Sequence, residues 1–216
     1  MTSPRYLSLV LDVDSTLCGI EGVDWLAARR DPATATDCAR LTASAMAGAI
    51  QLESIFARRL DRIRPGAEDL AGLAEAYRGA LASGAADAVH QIRAAGVEVH
   101  LVSGGLRQAI LPVSRDLGFD EAEVHAVPVI LDPSGNYLDF DRSSPLWRAE
   151  GKRDVVHALG LPVPRLAVGD GISDAALRDV VESFAVFTGF VRRQPVVELA
   201  QHECTSFTDI LDLVLP

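Results

Sequence analysis

The sequence predicts an α/β protein: a doubly wound parallel sheet with a small helical cap inserted after the first strand. Residues 6–11 form an apolar run typical of a buried parallel strand. The stretch that follows, to about residue 77, shows helical spacing and no convincing strand. Helical and strand patterns then alternate, as crossover connections in a parallel sheet require. We therefore expect a core of residues 1–16 and 78–216 and a cap of residues 17–77.

Composition and charge argue against several classes of partner. The 216 residues are 49% hydrophobic and 23% charged, which is enough apolar material for a sizeable core. The net charge of −10 argues against nucleic acid or an anionic membrane as partner. No apolar stretch approaches a membrane span, and the N-terminus lacks a basic-then-apolar signal pattern. We expect neither a nucleic-acid nor a membrane partner.

The cysteines and histidines show no metal-binding pattern. Cys18, Cys38 and Cys204 are odd in number and lack CxxC spacing, so we expect free thiols in a reducing, cytoplasmic compartment. No base is paired in sequence with Cys18, which argues against a catalytic thiol. The five histidines are scattered, and surface or core positions are the simpler interpretation.

The cap is predicted to be helical throughout. Pro65-Gly66 interrupts its helical pattern, because proline cannot continue a helix and glycine disfavours one. The apolar positions at helical spacing are Trp25 and Leu26; Leu41, Ala45, Ala49 and Leu52; and Ile55, Phe56 and Leu60.

The second part of the chain alternates helices and strands. Gly96 and Gly118 each follow a predicted helix, where glycine commonly ends one. Residues 132–136, Asp-Pro-Ser-Gly-Asn, are a strong hairpin signal. The predicted elements are helix 85–94, strand 97–102, helix 106–117, strands 127–131 and 137–140, helix 153–159, strand 165–168, helix 173–181 and the apolar run 184–187.

Two carboxylates, Asp12 and Asp14, follow the first strand and precede Ser15 and Thr16. Open α/β sheets bind ligands at the carboxyl ends of their strands. Side chains one residue apart on a strand point to opposite faces, so the two acids do not form one simple chelate. They can divide labour, one attacking and the other transferring a proton. A helix N-cap acid followed by a Ser/Thr turn is the structural alternative.

Three further segments place polar groups after strands or at helix starts. Ser103-Gly104-Gly105 follows strand 97–102 and is predicted to open a helix, an arrangement that suits a phosphate. Lys152 lies at the start of another helix and offers a positive charge. Asp170 and Asp174 follow strand 165–168. Taken singly, each segment has an equally good structural interpretation. Ser103-Gly104-Gly105 can be a turn, Lys152 a solvated lysine, and the segment with Asp170 and Asp174 a helix cap.

The four segments together form a pattern with a low chance rate. In order along the chain they resemble the motifs of the haloacid dehalogenase-like hydrolase superfamily, and the resemblance covers essentially the whole chain. It implies a Rossmann-like core. The Glu-Gly-Val-Asp sequence at 21–24, residues 45–60, Ile63 and Pro65 are similar to the phosphoserine phosphatases of that superfamily.

The resemblance implies an Mg²⁺-dependent phosphatase. Asp12 would be the nucleophile and form an aspartyl-phosphate, while Asp14 would protonate the leaving oxygen and then deprotonate water. Mg²⁺ would be held by Asp12, the backbone carbonyl of Asp14 and Asp170, with Asp174 orienting the metal ligands from behind.

The resemblance also assigns the substrate contacts. Ser103, Gly104, Gly105 and Lys152 would hold the phosphate of a small phosphate monoester. Glu21 would meet the ammonium of O-phosphoserine, a metabolite of serine biosynthesis, and Arg59 its carboxylate. Met46 and Ala47 would cover the closed site. Position alone does not choose among Arg58, Arg59 and Arg62; only the resemblance selects Arg59.

Some residues depart from the family's usual pattern, and other functions stay open. The departures are Ala47 for glycine, Leu52 and Leu106 for phenylalanine, and Ser173 for threonine or asparagine. None of them removes a catalytic group, and together they bear on how the cap fits the substrate. One alternative is a related phosphatase for another small phosphate monoester. Others are a receiver-like domain that carries a stable aspartyl-phosphate, which Asp14 and the long cap oppose, and an inactive binding protein. A monomer and a homodimer are both compatible with the sequence.

Overall fold

Six parallel strands form the central sheet of the computed structural model, which describes residues 3–46, 49–50 and 53–216. The strands are β1 (Ser8–Leu11), β2 (Glu98–Leu106), β3 (Val124–Val127), β4 (Val129–Leu131), β5 (Tyr137–Phe140), β6 (Arg165–Gly169), β7 (Ser183–Phe187) and β8 (His202–Cys204). Their order in the sheet is β3-β2-β1-β6-β7-β8, and β4 and β5 form a separate antiparallel pair. The predicted doubly wound α/β fold is confirmed.

Strand β1 lies in the middle of the sheet and is buried along its whole length. Leu11, its last residue, pairs with Leu101 of β2 on one side and with Val168 of β6 on the other. The chain therefore leaves β1 in one direction and later returns to its other edge. Such a switch point opens a crevice at the carboxyl ends of the strands. The segments after β1, β2 and β6 meet there.

The helices cover the sheet and form the cap. They are α1 (Gly22–Ala28), α2 (Pro32–Met46), α3 (Glu53–Ile63), α4 (Ala67–Gly79), α5 (Ala85–Ala94), α6 (Arg107–Asp116), α7 (Gly151–Leu159), α8 (Ile172–Ala175), α9 (Gln194–Val197) and α10 (Phe207–Val214). Helix α5 packs against α10, and α4 against α6. Within the described ranges, no helix is long and apolar enough to cross a membrane.

The cap is helical, as predicted. Its described residues form α1, α2, α3 and most of α4, and Pro65-Gly66 separates α3 from α4. Leu26, Phe56 and Leu60 of the cap share one apolar cluster with the sheet. The predicted boundary at residue 77 falls inside α4, which packs against α6 of the core. The division into core and cap stays a prediction.

The prediction that Ser103-Gly104-Gly105 ends the strand and opens a helix is wrong. Strand β2 continues through these residues to Leu106, with a register shift against β3, and the next helix begins only at Arg107. The glycines indicated a turn, but they lie in a strand irregularity, between the residues of β2 that pair with β3 at Val102 and at Leu106. Predicted strand 127–131 is in fact the end of β3 followed by β4. Strand β8 and helices α9 and α10 were not predicted.

Candidate active site

Asp12 lies at the carboxyl end of the central strand, where its backbone N–H donates to the carbonyl of Val168 in β6. Its side chain is 5% exposed and accepts a 2.6 Å hydrogen bond from Lys152 Nζ. Lys152 stands in the first turn of α7 and donates a second 2.6 Å bond to Asp174 Oδ1. The ammonium therefore bridges two carboxylates that follow different strands.

Burial and charge oppose each other in this triad. Burial and the carboxylate of Asp174 raise the pKa of Asp12 to about 7, against the lowering effect of Lys152. Burial alone would lower the pKa of Lys152, but the charges of Asp12 and Asp174 raise it. Lys152 therefore stays charged and favours the ionised form of Asp12 that a nucleophile needs.

Three buried carboxylates, Asp12, Asp170 and Asp174, can each direct one oxygen toward a common point. These oxygens lie within 4.8 Å of one another. Asp170 Oδ2 is buried and meets the guanidinium of Arg193, but it accepts no hydrogen bond of ordinary geometry from the described residues. Hard oxygen ligands of this kind suit Mg²⁺, so the residues fit the predicted metal. Asp174 also accepts from the backbone N–H of Gly171, which fixes its carboxylate.

Arg193 contacts one of these carboxylates, Asp170, and no sequence pattern predicted this contact. It precedes α9, and its side chain is 10% exposed. Its Nη1 contacts Asp170 Oδ2, and its Nη2 lies 3.4 Å from Glu21 Oε1. One guanidinium thus links a candidate metal ligand to a candidate substrate contact.

Asp14 occupies a different environment from Asp12. Its Oδ1 accepts a 2.6 Å hydrogen bond from the hydroxyl of Tyr77 and a 3.3 Å bond from the backbone N–H of Gly22. Burial, and then the charges of Glu21 and Asp12, raise the pKa of Asp14 well above its usual value, although these hydrogen bonds oppose the rise. A carboxyl group that keeps its proton suits proton donation.

The turn after Asp14 is tightly specified. Ser15 adopts a left-handed backbone conformation, with φ of 52°. Its hydroxyl donates a 2.8 Å bond to Glu21 Oε1. Non-glycine residues in this conformation are uncommon and cluster at functional sites. The turn therefore ties Glu21 to the loop that carries both catalytic candidates.

Ser103, Gly104 and Gly105 form an extended wall beside the two aspartates. Ser103 is buried, and its Oγ accepts a 2.9 Å bond from the backbone N–H of Gly105. A Cβ on Gly105 would lie 3.2 Å from Asp14 Oδ2 and 3.1 Å from Ser103 Oγ. Glycine here leaves room between the serine hydroxyl and Asp14.

Arg59 is the one buried arginine among the three candidates in α3. It is 4% exposed, whereas Arg58 and Arg62 are exposed. Its Nη1 donates to the hydroxyl of Thr42 and lies 3.8 Å from Asp24 Oδ1. Its Nε has no hydrogen-bond partner among the described residues. Burial thus distinguishes Arg59 from the other two arginines, and its role in binding stays a prediction.

Most of the predicted residues surround a single cavity between cap and core. Val23, Phe56 and Leu146 supply its apolar surface. The predicted site residues that line it are Asp12, Asp14, Glu21, Arg59, Ser103, Gly104, Lys152 and Asp170. Gly105 and Asp174 touch these residues from outside. Met46 ends helix α2, but its side chain and the whole of Ala47 lie outside what the structure describes.

The three cysteines are buried and form no disulfide with one another in the structure, all three lying within its described ranges. Burial, and then the charges of Asp14 and Asp12, raise the pKa of Cys18. A thiol held neutral is a poor nucleophile, in agreement with the expectation that Cys18 is not catalytic.

Comparisons with known proteins identify the family and the fold. The family model described as haloacid dehalogenase-like hydrolase matches residues 9–178. The chain is 30% identical to the chloroplastic phosphoserine phosphatase of Arabidopsis thaliana, over 95% of this chain and 70% of that protein.

Two solved structures share the fold. The crystal structure of a phosphoserine phosphohydrolase-like protein from Francisella tularensis has a TM-score of 0.89 at 22% identity, over 96% of this chain and 99% of that one. A phospho-aspartyl intermediate analogue of phosphoserine phosphatase has a TM-score of 0.81 at 20% identity, over 99% of this chain and 100% of that one.

Proposed function

This chain belongs to the haloacid dehalogenase-like hydrolase family, and we propose that it is an Mg²⁺-dependent phosphatase that hydrolyses O-phosphoserine to serine and phosphate. The observation that carries the proposal is the separation of two aspartates one residue apart. Asp12 lies against a buried ammonium. Asp14 accepts hydrogen bonds from two neutral donors, and its burial raises its pKa well above the usual value. One environment suits a nucleophile, and the other suits an acid.

The reaction proceeds in two steps. An oxygen of Asp12 attacks phosphorus, the bond to the serine oxygen breaks, and Asp14 gives its proton to that oxygen. Serine leaves, and Asp12 carries the phosphoryl group. Asp14, now a carboxylate, takes a proton from the water that attacks phosphorus, and phosphate and free Asp12 are regenerated. Proton transfer of this kind supplies roughly 10²–10⁴-fold in rate.

Cations at the site offset the repulsion between Asp12 and the phosphate. Lys152 supplies one fixed positive charge 2.6 Å from Asp12. Asp12, Asp170 and the backbone carbonyl of Asp14 would hold Mg²⁺, and Asp174 would keep Asp12 and Lys152 in place. The bound ion would supply charge neutralisation and orientation of the phosphate oxygens.

Residues of the cavity also explain a preference for an amino-acid phosphate. Arg59 is a buried cation on the cap side, and Glu21 is a carboxylate at the start of α1. The carboxylate and ammonium of phosphoserine would complement this pair of opposite charges, whereas the hydroxyls of a sugar phosphate carry no charge that complements either of them. Ser103 and the neighbouring glycines would contact the phosphate.

A substrate panel tests the proposal. Phosphate release is measured from O-phosphoserine, phosphothreonine, a sugar phosphate and p-nitrophenyl phosphate, each with Mg²⁺ or EDTA, with Asp12→Asn as the inactive control. We expect Mg²⁺-dependent release that is fastest from O-phosphoserine. Equal rates across the panel would reject the amino-acid substrate and retain the phosphatase, and release from none would reject both.

We infer a role in serine biosynthesis from the same substrate. The buried, unpaired thiols support a cytoplasmic location, since oxidising compartments favour disulfides.

A further inference from the structure

Tyr77 makes a direct contact with the candidate proton-transfer group. Its hydroxyl donates to Asp14 Oδ1 across 2.6 Å, and the tyrosine is fully buried. It lies on α4, 63 positions beyond Asp14 in the sequence. No part of the two-step reaction above uses it.

The position of the Tyr77 hydroxyl is fixed by its surroundings. Helix α4 packs against α1 and α6, and Tyr77 is buried in the main apolar cluster of the protein. Gly22, the first residue of α1, faces the hydroxyl so closely that a Cβ there would lie 2.1 Å from the phenolic oxygen. The backbone N–H of Gly22 donates to the same Oδ1 of Asp14, at 3.3 Å.

The two oxygens of Asp14 are therefore unequal. Oδ1 is held by Tyr77 and Gly22. Oδ2 faces the Ser103–Gly105 wall, as shown by the 3.2 Å between it and the Cβ that Gly105 lacks. Asp14 lines the cavity, and among the described residues none donates a hydrogen bond to Oδ2. One oxygen anchors the carboxyl group and the other is available to a substrate.

We propose that Tyr77 is a positioning residue that holds Asp14 by Oδ1, so that Oδ2 moves the proton to the leaving oxygen and later takes one from water. This inference rests on the proposed two-step reaction. Tyr77 keeps its own proton throughout and touches no reacting atom. The alternative is that Tyr77 only satisfies a buried hydroxyl and contributes to stability.

Leaving-group chemistry separates the two roles. The value of kcat/KM reports the steps up to the first irreversible one, here release of the leaving group from phosphorus. An alkoxide, such as that of serine, leaves poorly unless it is protonated, whereas p-nitrophenolate leaves without a proton. Loss of Asp14 alignment therefore lowers kcat/KM for alkyl phosphates selectively, while a general structural defect lowers it for both classes.

Tyr77→Phe removes only the hydroxyl. We expect kcat/KM for O-phosphoserine to fall about tenfold, part of the full proton-transfer effect, and kcat/KM for p-nitrophenyl phosphate to stay within about twofold. Glycerol phosphate serves as a second alkyl substrate, so the result does not depend on amino-acid specificity. Tyr137→Phe is the matched control, because Tyr137 is also buried and its hydroxyl has no hydrogen-bond partner among the described residues.

Gly22→Ala tests the same contact while keeping the tyrosine. The new methyl group would displace the phenolic oxygen from Asp14, so we expect the same selective loss on alkyl substrates. In the double variant, the Tyr77→Phe change removes the clashing oxygen. The fold-loss in kcat/KM of the double variant should then be smaller than the product of the two single-variant losses.

The outcomes are distinguishable. Equal losses on alkyl and aryl phosphates, no loss on either, or a multiplicative double variant would overturn the role of Tyr77 and leave the proposed function standing. A wild-type protein that hydrolyses no phosphate monoester would overturn both. Thermal unfolding of each variant establishes that the folded protein is compared.

Discussion

Arg193 and Glu21 lie 172 positions apart in the sequence, yet Nη2 of the arginine is 3.4 Å from Oε1 of the glutamate. The same guanidinium contacts the carboxylate of Asp170. A single cation with little solvent exposure therefore neutralises a candidate metal ligand and a candidate substrate contact. Mg²⁺ and the substrate ammonium would each compete with it for these carboxylates.

Replacement of Arg193 by alanine should destabilise the protein most when no divalent ion is present. Breaking a buried ion pair by removing one partner costs about 3–5 kcal/mol, because the other charge stays buried. Saturating Mg²⁺ would replace part of the lost positive charge. The difference in unfolding free energy between Arg193→Ala and wild type should therefore be smaller in Mg²⁺ than in EDTA. Denaturant unfolding of Arg193→Ala and wild type, in EDTA and in Mg²⁺, measures the difference.

Arg192→Ala is the matched control for that experiment. Arg192 is adjacent and exposed, and it pairs at the surface with Glu203. Exposed pairs contribute less than about 1 kcal/mol. An Arg193→Ala deficit that is identical with and without Mg²⁺ would contradict competition at Asp170.

Arg59→Ala should weaken catalysis on O-phosphoserine much more than on p-nitrophenyl phosphate. The second substrate has no carboxylate to lose, whereas truncating one partner of a buried charge pair costs about 2–5 kcal/mol. Steady-state kinetics with both substrates measures the ratio. Arg58→Ala, an exposed neighbour in the same helix, should leave it unchanged. Equal losses on both substrates would show that Arg59 is structural.

Asp14→Asn should abolish most turnover while keeping metal affinity. The variant removes the transferable proton, but the backbone carbonyl predicted to bind Mg²⁺ stays in place. We expect kcat to fall roughly 10²–10⁴-fold. Titration calorimetry with Mg²⁺ should give an affinity close to that of wild type. A large loss of affinity would indicate that the side chain of Asp14 itself binds the ion.

His125 should make the fold less stable in mild acid. Burial, and then the neighbouring charges of His100 and Arg107, lower the pKa of His125 from 6.5 to about 4. Between these values the unfolded chain binds a proton that the folded chain does not. The contribution of His125 to the free energy of unfolding is therefore fully present above about pH 6.5 and is lost as the pH falls toward 4.

The size of this effect is on the order of 1 kcal/mol, since His125 is partly exposed and solvent screens its neighbours. Its ring lies 3.1 Å from His100 Nδ1, and His100 Nε2 lies 2.8 Å from Glu98. Unfolding of His125→Gln between pH 7 and pH 4 should show a smaller decline than wild type. The exposed His157→Gln should follow wild type, and identical slopes for all three would contradict the prediction.

Sequence patterns located the core of the site because strand ends converge. Asp12, Asp170 and the Ser103 segment each follow a buried apolar run, and parallel strands bring such positions to one edge. The position of Lys152 at a helix start was equally compatible with a solvated lysine, and only the resemblance assigned it to the site. The error at Ser103-Gly105 has a local cause: glycines resemble a turn in sequence, whereas here they lie in an irregularity of β2 between its pairs with β3 at Val102 and Leu106.

Tyr77 and Arg193 had no usable signal in the sequence. Tyr77 contacts Asp14, 63 positions away, and Arg193 contacts Glu21, 172 positions away. Neither residue belongs to a recognisable motif. Helix packing of α4 places the tyrosine, and the loop before α9, an element that was itself not predicted, places the arginine. Arg59 lies between these cases, because the resemblance named it and its burial then distinguished it from Arg58 and Arg62.

The central claim is that Asp12 carries the phosphoryl group during turnover. The direct measurement is acid quenching of the enzyme in reaction with O-phosphoserine and Mg²⁺, followed by peptide mass spectrometry. We expect one phosphoryl group on Asp12 in wild type and none in Asp12→Asn. Turnover without protein-bound phosphate, or with the phosphoryl group on Asp14, would contradict it.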